Sequence, residues 1–152
     1  MTTTAAARYQ RPGVFTQHVF NRAIRRATRW GLSVWGSREL RVPGRRSGVV
    51  RSTVVNLLDH DGHRYLVAPR GETEWVRNVR AAGGADLHVG RRAETVTLHE
   101  LDDAAKVDVL RSYLRRWKWE VGQFFKGVGP KASDDELLRI APGYPVFEVR
   151  AE

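Results

Sequence analysis

The chain contains no cysteine, which excludes disulfide bonds, thiolate nucleophiles and cysteine-ligated metal centres. Long apolar runs are missing too. No stretch reaches the ~18 residues a membrane-spanning helix needs, so no transmembrane helix is expected. Met1 to Ala7 is short, polar and uncharged, without the basic start and apolar run of a secretory leader; the expected location is the cytoplasm. Lysine is scarce, with four residues among the 26 cations, and residues 1–58 hold a single acid, Glu39. No Gly-Lys-Ser/Thr closes a Walker loop, no serine occupies a nucleophile elbow, and no pair of acids is placed for glycoside hydrolysis. The five histidines, His18, His60, His63, His88 and His99, form no metal-like spacing. His88 and His99 could meet across a hairpin, but two ligands make no metal site. With neither triad nor metal, an enzyme built on this chain needs a cofactor to carry its chemistry.

What is present is one domain's worth of chain: 152 residues, 41% hydrophobic and 28% charged, enough apolar surface to offset the entropy of ordering. The net charge of +9 is concentrated. Residues 1–58 carry eleven arginines against Glu39, whereas the remainder is close to neutral. Such asymmetry points to an anionic partner: nucleic acid, an anionic membrane surface, or a phosphorylated or polycarboxylate ligand. Arginine's planar fork suits phosphate and carboxylate.

The periodicity predicts a basic arm and an amphipathic helix over residues 14–30. Phe15, Val19, Ala23, Ala27 and Trp30 form its apolar stripe, with Arg22, Arg25, Arg26 and Arg29 between them. This helix either docks on its own domain or lies on anionic lipid. Strands follow at 38–42, 51–58 and 63–68, the last two joined at Asp61-Gly62, a hairpin signal. A short helix over 73–82 ends at Gly83-Gly84, and a second hairpin spans 85–101. Asp102-Asp103 opens a longer helix, Ser133 to Glu136 reads as a capping box, and 144–149 is a last strand. The expected division is 1–34, arm and helix, and 35–152, cofactor-binding domain. The fold class is mainly β with helices (α+β), an antiparallel barrel with N-terminal and C-terminal helices.

Two patches carry candidate chemistry. In Gly44-Arg45-Arg46-Ser47-Gly48-Val49-Val50-Arg51, glycines let the main chain approach an anion, and Ser47 with three guanidiniums can donate to it. The alternative is a solvated turn. The second patch is Ala68-Pro69-Arg70-Gly71 with Trp75 and Asn78, which share a helix face. Together they could hold a flat heterocycle by stacking and hydrogen bonding, or serve as a core indole and a cap. The aromatic run Trp117, Trp119, Phe124 and Phe125 reads as packing.

In order and spacing, Gly44-Arg45-Arg46-Ser47-Gly48-x-x-Arg51, Asp61-Gly62, Ala68-x-x-Gly71, Trp75-x-x-Asn78 and Ile140-Ala141-Pro142-x-x-Pro145-Val146-Phe147 resemble the deazaflavin-dependent nitroreductase family. The similarity covers about residues 35–150. The resemblance implies a split β-barrel of the FMN-binding type and coenzyme F-420, a deazaflavin with a phosphate and an oligoglutamate tail. Arg45, Arg46, Ser47, Gly48 and Arg51 would hold the phosphate and tail. Ala68, Pro69, Arg70, Gly71, Trp75 and Asn78 would lie along the ring. It further implies hydride transfer to a quinone, nitroaromatic or activated enone, with Tyr65, Tyr113 and Tyr144 as unranked proton donors. Thr73-Glu74 stand where the family commonly has His-Pro, and Val76 where it has Tyr. The tyrosine-rich C-terminal segment of nitroimidazole-reducing members has no counterpart. By analogy a homodimer is expected, and the helix at 14–30 would make a peripheral contact with the inner face of the plasma membrane. Competing readings are an FMN-dependent enzyme or flavin carrier on the same barrel, a non-catalytic F-420-binding protein, and a basic nucleic-acid-binding module.

Overall fold

Hairpins and caps written locally in the sequence build most of the structure. Asp61 and Gly62 both adopt positive φ, 55° and 79°, as a two-residue hairpin requires. They join β2 (Val50–His60) to β3 (His63–Val67). The computed structural model describes residues 36–152; the arm and helix expected over 14–30 lie outside the described residues. The order continues from β1 (Ser37–Pro43), which precedes β2, to α1 (Glu74–Ala82), β4 (Gly84–Val89), β5 (Arg92–Glu100), α2 (Asp103–Val121), α3 (Asp134–Ile140) and β6 (Val146–Ala151). Gly83 caps α1 in the left-handed conformation, Asp102 accepts from the Ala105 N–H, and Ser133 accepts from the Glu136 N–H. All three caps stand at the positions the sequence suggests.

The six strands close an antiparallel barrel in the order β1-β2-β3-β6-β5-β4. Closure depends on three distant pairings, Leu40 opposite Leu87, Leu66 opposite Phe147 and Leu98 opposite Val149. Alternation then divides the apolar residues into two cores. Leu40, Val42, Val55, Leu57, Leu66, Ala68, Leu87, Val96, Leu98 and Phe147 fill the barrel, joined by Val76 and Val79 of α1. The opposite face of β2, β3 and β6 supplies Leu58, Tyr65, Val67 and Val146 to a second core beneath α2, α3 and the following turns. At its centre are Tyr113, Leu114 and Trp117, each at most 2% exposed. Register places His88 opposite Ala93 and His99 opposite Glu148, so these histidines do not face each other. Among the described residues no group of three His, Cys, Asp or Glu side chains could hold a metal, and no helix is long and apolar enough to cross a membrane.

Candidate functional site

The turn between β1 and β2 is fixed by its own backbone. The Gly44 N–H donates to the Val49 carbonyl at 2.8 Å, and the Gly48 N–H donates to the Gly44 carbonyl at 2.9 Å. The Val49 N–H donates to Ser47 Oγ at 3.1 Å. Gly48 has φ +75°, a conformation that favours glycine, and no atom lies within 4 Å of where its Cβ would be. Gly44 is enclosed instead: a Cβ there would come within 3.2 Å of both Ser47 Oγ and the Val49 carbonyl, and 3.8 Å from Arg51 Nε. The turn therefore presents an open glycine at its tip and gathers Ser47 and Arg51 around its base.

Helix α1 anchors this turn. Asn78, buried at 3% exposure, accepts twice at Oδ1, from the Arg45 backbone N–H and from Arg45 Nη1, each at 3.0 Å. The same Nη1 donates to Glu74 Oε2 at 2.7 Å. The hydrogen bond and charge of Arg45 hold the Glu74 carboxyl below the usual carboxylate range, with lesser help from Arg77 and Arg46. Two residues assigned from sequence to different patches, Arg45 and Asn78, are thus bonded to each other. Arg46, Ser47, Gly48 and Arg51 remain exposed, and among the described residues neither Arg46 nor Arg51 forms an ion pair.

The second patch lies at the same end of the barrel. Ala68 ends the β3 ladder, its N–H donating to the Pro145 carbonyl at 2.9 Å, and the Gly71 N–H donates back to the Ala68 carbonyl at 3.2 Å. Gly71 carries φ +87°, so the Ala68-to-Gly71 turn needs glycine at its end. Arg70 is half-buried. Trp75 packs on Phe147 with ring centroids 5.9 Å apart and tilted by 53°, so one part of its indole already belongs to the barrel core.

Sequence reasoning did not find Thr73 or Glu74 as site residues. Thr73 precedes α1 without capping it, and its Oγ1 is buried with no hydrogen-bond partner among the described residues, an orphan beside Gly71 and Trp75. The only signal for either residue was their replacement of His-Pro. The candidate tyrosines stand elsewhere, in the core beneath α2. Tyr113 is fully enclosed, and burial pushes its phenol far above the ordinary range. The Tyr144 hydroxyl donates to the Phe124 carbonyl, and Tyr65 is raised by burial.

A closed six-stranded antiparallel barrel, with an arginine-bearing turn at one end, is the architecture of the split-barrel proteins. The model of the F-420H(2)-dependent quinone reductase family matches residues 23–123. The chain belongs to that family; it is an F-420-dependent reductase, and coenzyme F-420 is its cofactor. Solved structures share the barrel. An F-420-H2 dependent reductase is 16% identical, with 76% of this chain and 94% of that one covered and a TM-score of 0.54. A chain solved as a domain-swapped dimer is 16% identical over 89% of this chain and 98% of its own, with a TM-score of 0.55. A protein of unknown function from Agrobacterium tumefaciens is 15% identical over 94% of this chain and 58% of its own, with a TM-score of 0.54. Among curated proteins nothing matches.

The donor set suits the cofactor's anions. Arg46 and Arg51 offer guanidiniums not taken up by described carboxylates, Ser47 offers a hydroxyl proton, and Gly48 leaves the approach open.

Proposed function

We propose that this enzyme reduces a quinone at the expense of reduced coenzyme F-420. Arg46, Ser47, Gly48 and Arg51 receive the phosphate and glutamate tail. Arg70, the Ala68–Gly71 backbone, Thr73 and Trp75 line the ring, and Arg45 and Asn78 fix the anion-binding turn against α1. The chemistry that the bound cofactor supplies is hydride donation to an electrophilic acceptor. The chain's part is binding and orientation. The apolar barrel beneath Trp75 keeps water from one face of the site, and the paired guanidiniums set how far the tail enters. A domain of residues 35–152 carries this site, with the helix expected over 14–30 as a peripheral membrane contact. The domain-swapped dimer among the similar structures supports a homodimer.

The observation that carries the reading is the pair Arg46 and Arg51, exposed and outside any described ion pair on a turn that Asn78 holds in place. Tryptophan-fluorescence titration with oxidised F-420, and with FMN alongside, tests it. Micromolar or tighter binding of the deazaflavin is expected, weakened by salt and by ~tenfold or more in Arg46→Ala/Arg51→Ala. Preferential FMN binding would overturn the proposal.

A further inference from the structure

Lysine is scarce in this chain, and its four copies are not scattered. Lys106 is buried, its Nζ donating to the Ala141 carbonyl at 3.0 Å and pairing with Asp103 at 2.9 Å. The other three, Lys118, Lys126 and Lys131, cluster after the middle of α2. All are exposed, and none forms an ion pair among the described residues. Every other ion pair of the described residues uses arginine. Between residues 112 and 130 the one acid is Glu120, half-buried and accepting from Asn56 Nδ2 at 3.5 Å. The same stretch holds three glycines, Gly122, Gly127 and Gly129.

These residues surround an open pocket of about 370 Å³, lined by Lys118, Lys131, Gly127, Gly129 and Pro130. The glycines set the position of Lys118. Its Cγ lies 3.4 Å from where a Gly122 Cβ would stand, and its Nζ lies 3.1 Å from the corresponding point at Gly129. A side chain at residue 129 would crowd the ammonium out. Lys126 and Gly127 carry consecutive positive φ, 49° and 84°, directly after Phe125 at φ −104° and ψ 4°. Such a reversal turns successive N–H groups to one side, the concave arrangement that holds anions. The N–H groups of Gly127, Gly129 and Lys131 donate to no carbonyl of the described residues. Glu136 is the one acid of the lining, and its carboxylate is shared with Arg139, 4.0 Å from Nη2. The pocket is separate from the cofactor turn. Gly36 at the start of β1 approaches Trp117 and Arg116, whereas Gly44 at the other end opens that turn, and a seven-residue strand spans ~20 Å.

We propose that this pocket binds a small soluble phosphomonoester. Such a phosphate carries a charge of about −2 near neutral pH, which the two unpaired ammonium groups of Lys118 and Lys131 match. The spare amides supply further donors for its terminal oxygens. Lysine suits a compact tetrahedral group, being a point charge with rotatable donors, whereas a planar carboxylate suits the arginine fork. The chain follows that division: its carboxylates meet arginine, and its exposed lysines gather here. The volume of about 370 Å³ falls within the ~300–1,000 Å³ of small-molecule sites. It therefore has room for the organic part of the ester, with Pro130 and Ala132 as an apolar wall. Phosphodiesters, as in a nucleic acid strand, carry less charge and leave one ammonium unmatched. The site rests on this surface alone and does not depend on the proposed reaction.

The test is an amide proton–nitrogen correlation NMR titration of the full chain with glycerol phosphate, with inorganic phosphate and dimethyl phosphate alongside. Glycerol phosphate should shift the Gly127 and Gly129 resonances saturably, with a Kd ~tenfold or more below that of dimethyl phosphate. Lys118→Gln/Lys131→Gln should weaken binding ~tenfold or more, and Gly129→Ala severalfold by displacing the Lys118 ammonium. Both variants should keep the wild-type spectrum elsewhere and the wild-type affinity for F-420. Arg46→Ala/Arg51→Ala should bind glycerol phosphate as the wild type does. The proposal is overturned if the Gly127 and Gly129 shifts do not saturate, or if the lysine variant binds unchanged. It is overturned equally if dimethyl phosphate binds as well as the monoester, or if inorganic phosphate binds and the ester does not. Loss of the shifts in the Arg46/Arg51 variant would assign the phosphate to the cofactor turn and overturn it too.

Discussion

Glu74 stands beside the proposed anion-binding turn, its largely exposed carboxylate 2.7 Å from Arg45 Nη1 and within the field of Arg46. On the proposed reading its negative charge competes with the cofactor's anions for this cationic turn without being buried in place. Exposed pairs of this kind contribute little to stability, which makes the competition visible mainly in binding. Glu74→Gln should therefore tighten F-420 binding by up to ~fivefold with no measurable change in melting temperature. The pH dependence carries the sign. Arg45 depresses the Glu74 carboxyl, so competition is complete above the ordinary carboxylate range and fades as pH falls through the depressed value. The ratio of wild-type to variant Kd, measured by titration at several pH values, should fall toward one in acid. A variant that binds more weakly at every pH would show that Glu74 supports the site instead. Asn78 has the opposite role. Asn78→Ala leaves the Arg45 N–H without its buried acceptor, and should cost ~1–2 kcal/mol of stability together with cofactor affinity, read by urea unfolding and the same titration.

Elements fold where local signals agree, and the barrel closes where such signals end. Asp61-Gly62, Gly83, Asp102 and Ser133 were each legible because turn and cap chemistry involves residues two to four apart. The strand and helix ranges followed from them within a few residues. The pairings of β1 with β4, of β3 with β6 and of β5 with β6 were not legible, because alternation shows which face is apolar and not which strand lies alongside. Candidate residues could be singled out by type but their wiring could not, since Arg45 meets Glu74 and Asn78 across 29 and 33 residues. Adjacent glycines make the difference between local and distant constraint measurable. Gly83 needs positive φ, 76°, but has no atom within 4 Å of where a Cβ would stand, so Gly83→Ala should cost about 1 kcal/mol of backbone strain. Gly84 has ordinary φ, yet a Cβ there would lie 2.7 Å from the Val96 carbonyl of the paired strand. Gly84→Ala should cost about 2–3 kcal/mol and lower the urea midpoint more than Gly83→Ala. The reverse ranking would mean that the β4–β5 ladder yields more easily than the α1 cap.

Over the whole molecule, arginines hold the barrel's carboxylates in their charged form, and acid should release that hold. The Glu94 carboxyl is depressed by its hydrogen bond from Arg64, and Glu148 by that from Arg150. Burial pushes Glu39 upward, but the hydrogen bond and charge of Arg41 outweigh it and leave it depressed. A group whose folded pKa lies below its unfolded value of about 4.3 contributes stability above that value and loses it as pH falls through the folded pKa. All three act in that direction, and they stand on three different strands, β5, β6 and β1. Glu120 acts the other way: burial raises it, and a hydrogen bond from Asn56 offsets this only in part. Its ionisation is a cost that grows as pH rises through its folded pKa. The net charge of +9 adds repulsion once carboxylates are neutralised. Urea midpoints should therefore hold a plateau through neutral pH and fall below about pH 4. Glu120→Gln should raise the midpoint at pH 7 and converge on the wild type in acid, where Glu120 is already protonated. A midpoint that rises below pH 4 would show that the second core beneath α2, where Glu120 approaches Tyr113, governs stability more than the ion pairs around the barrel.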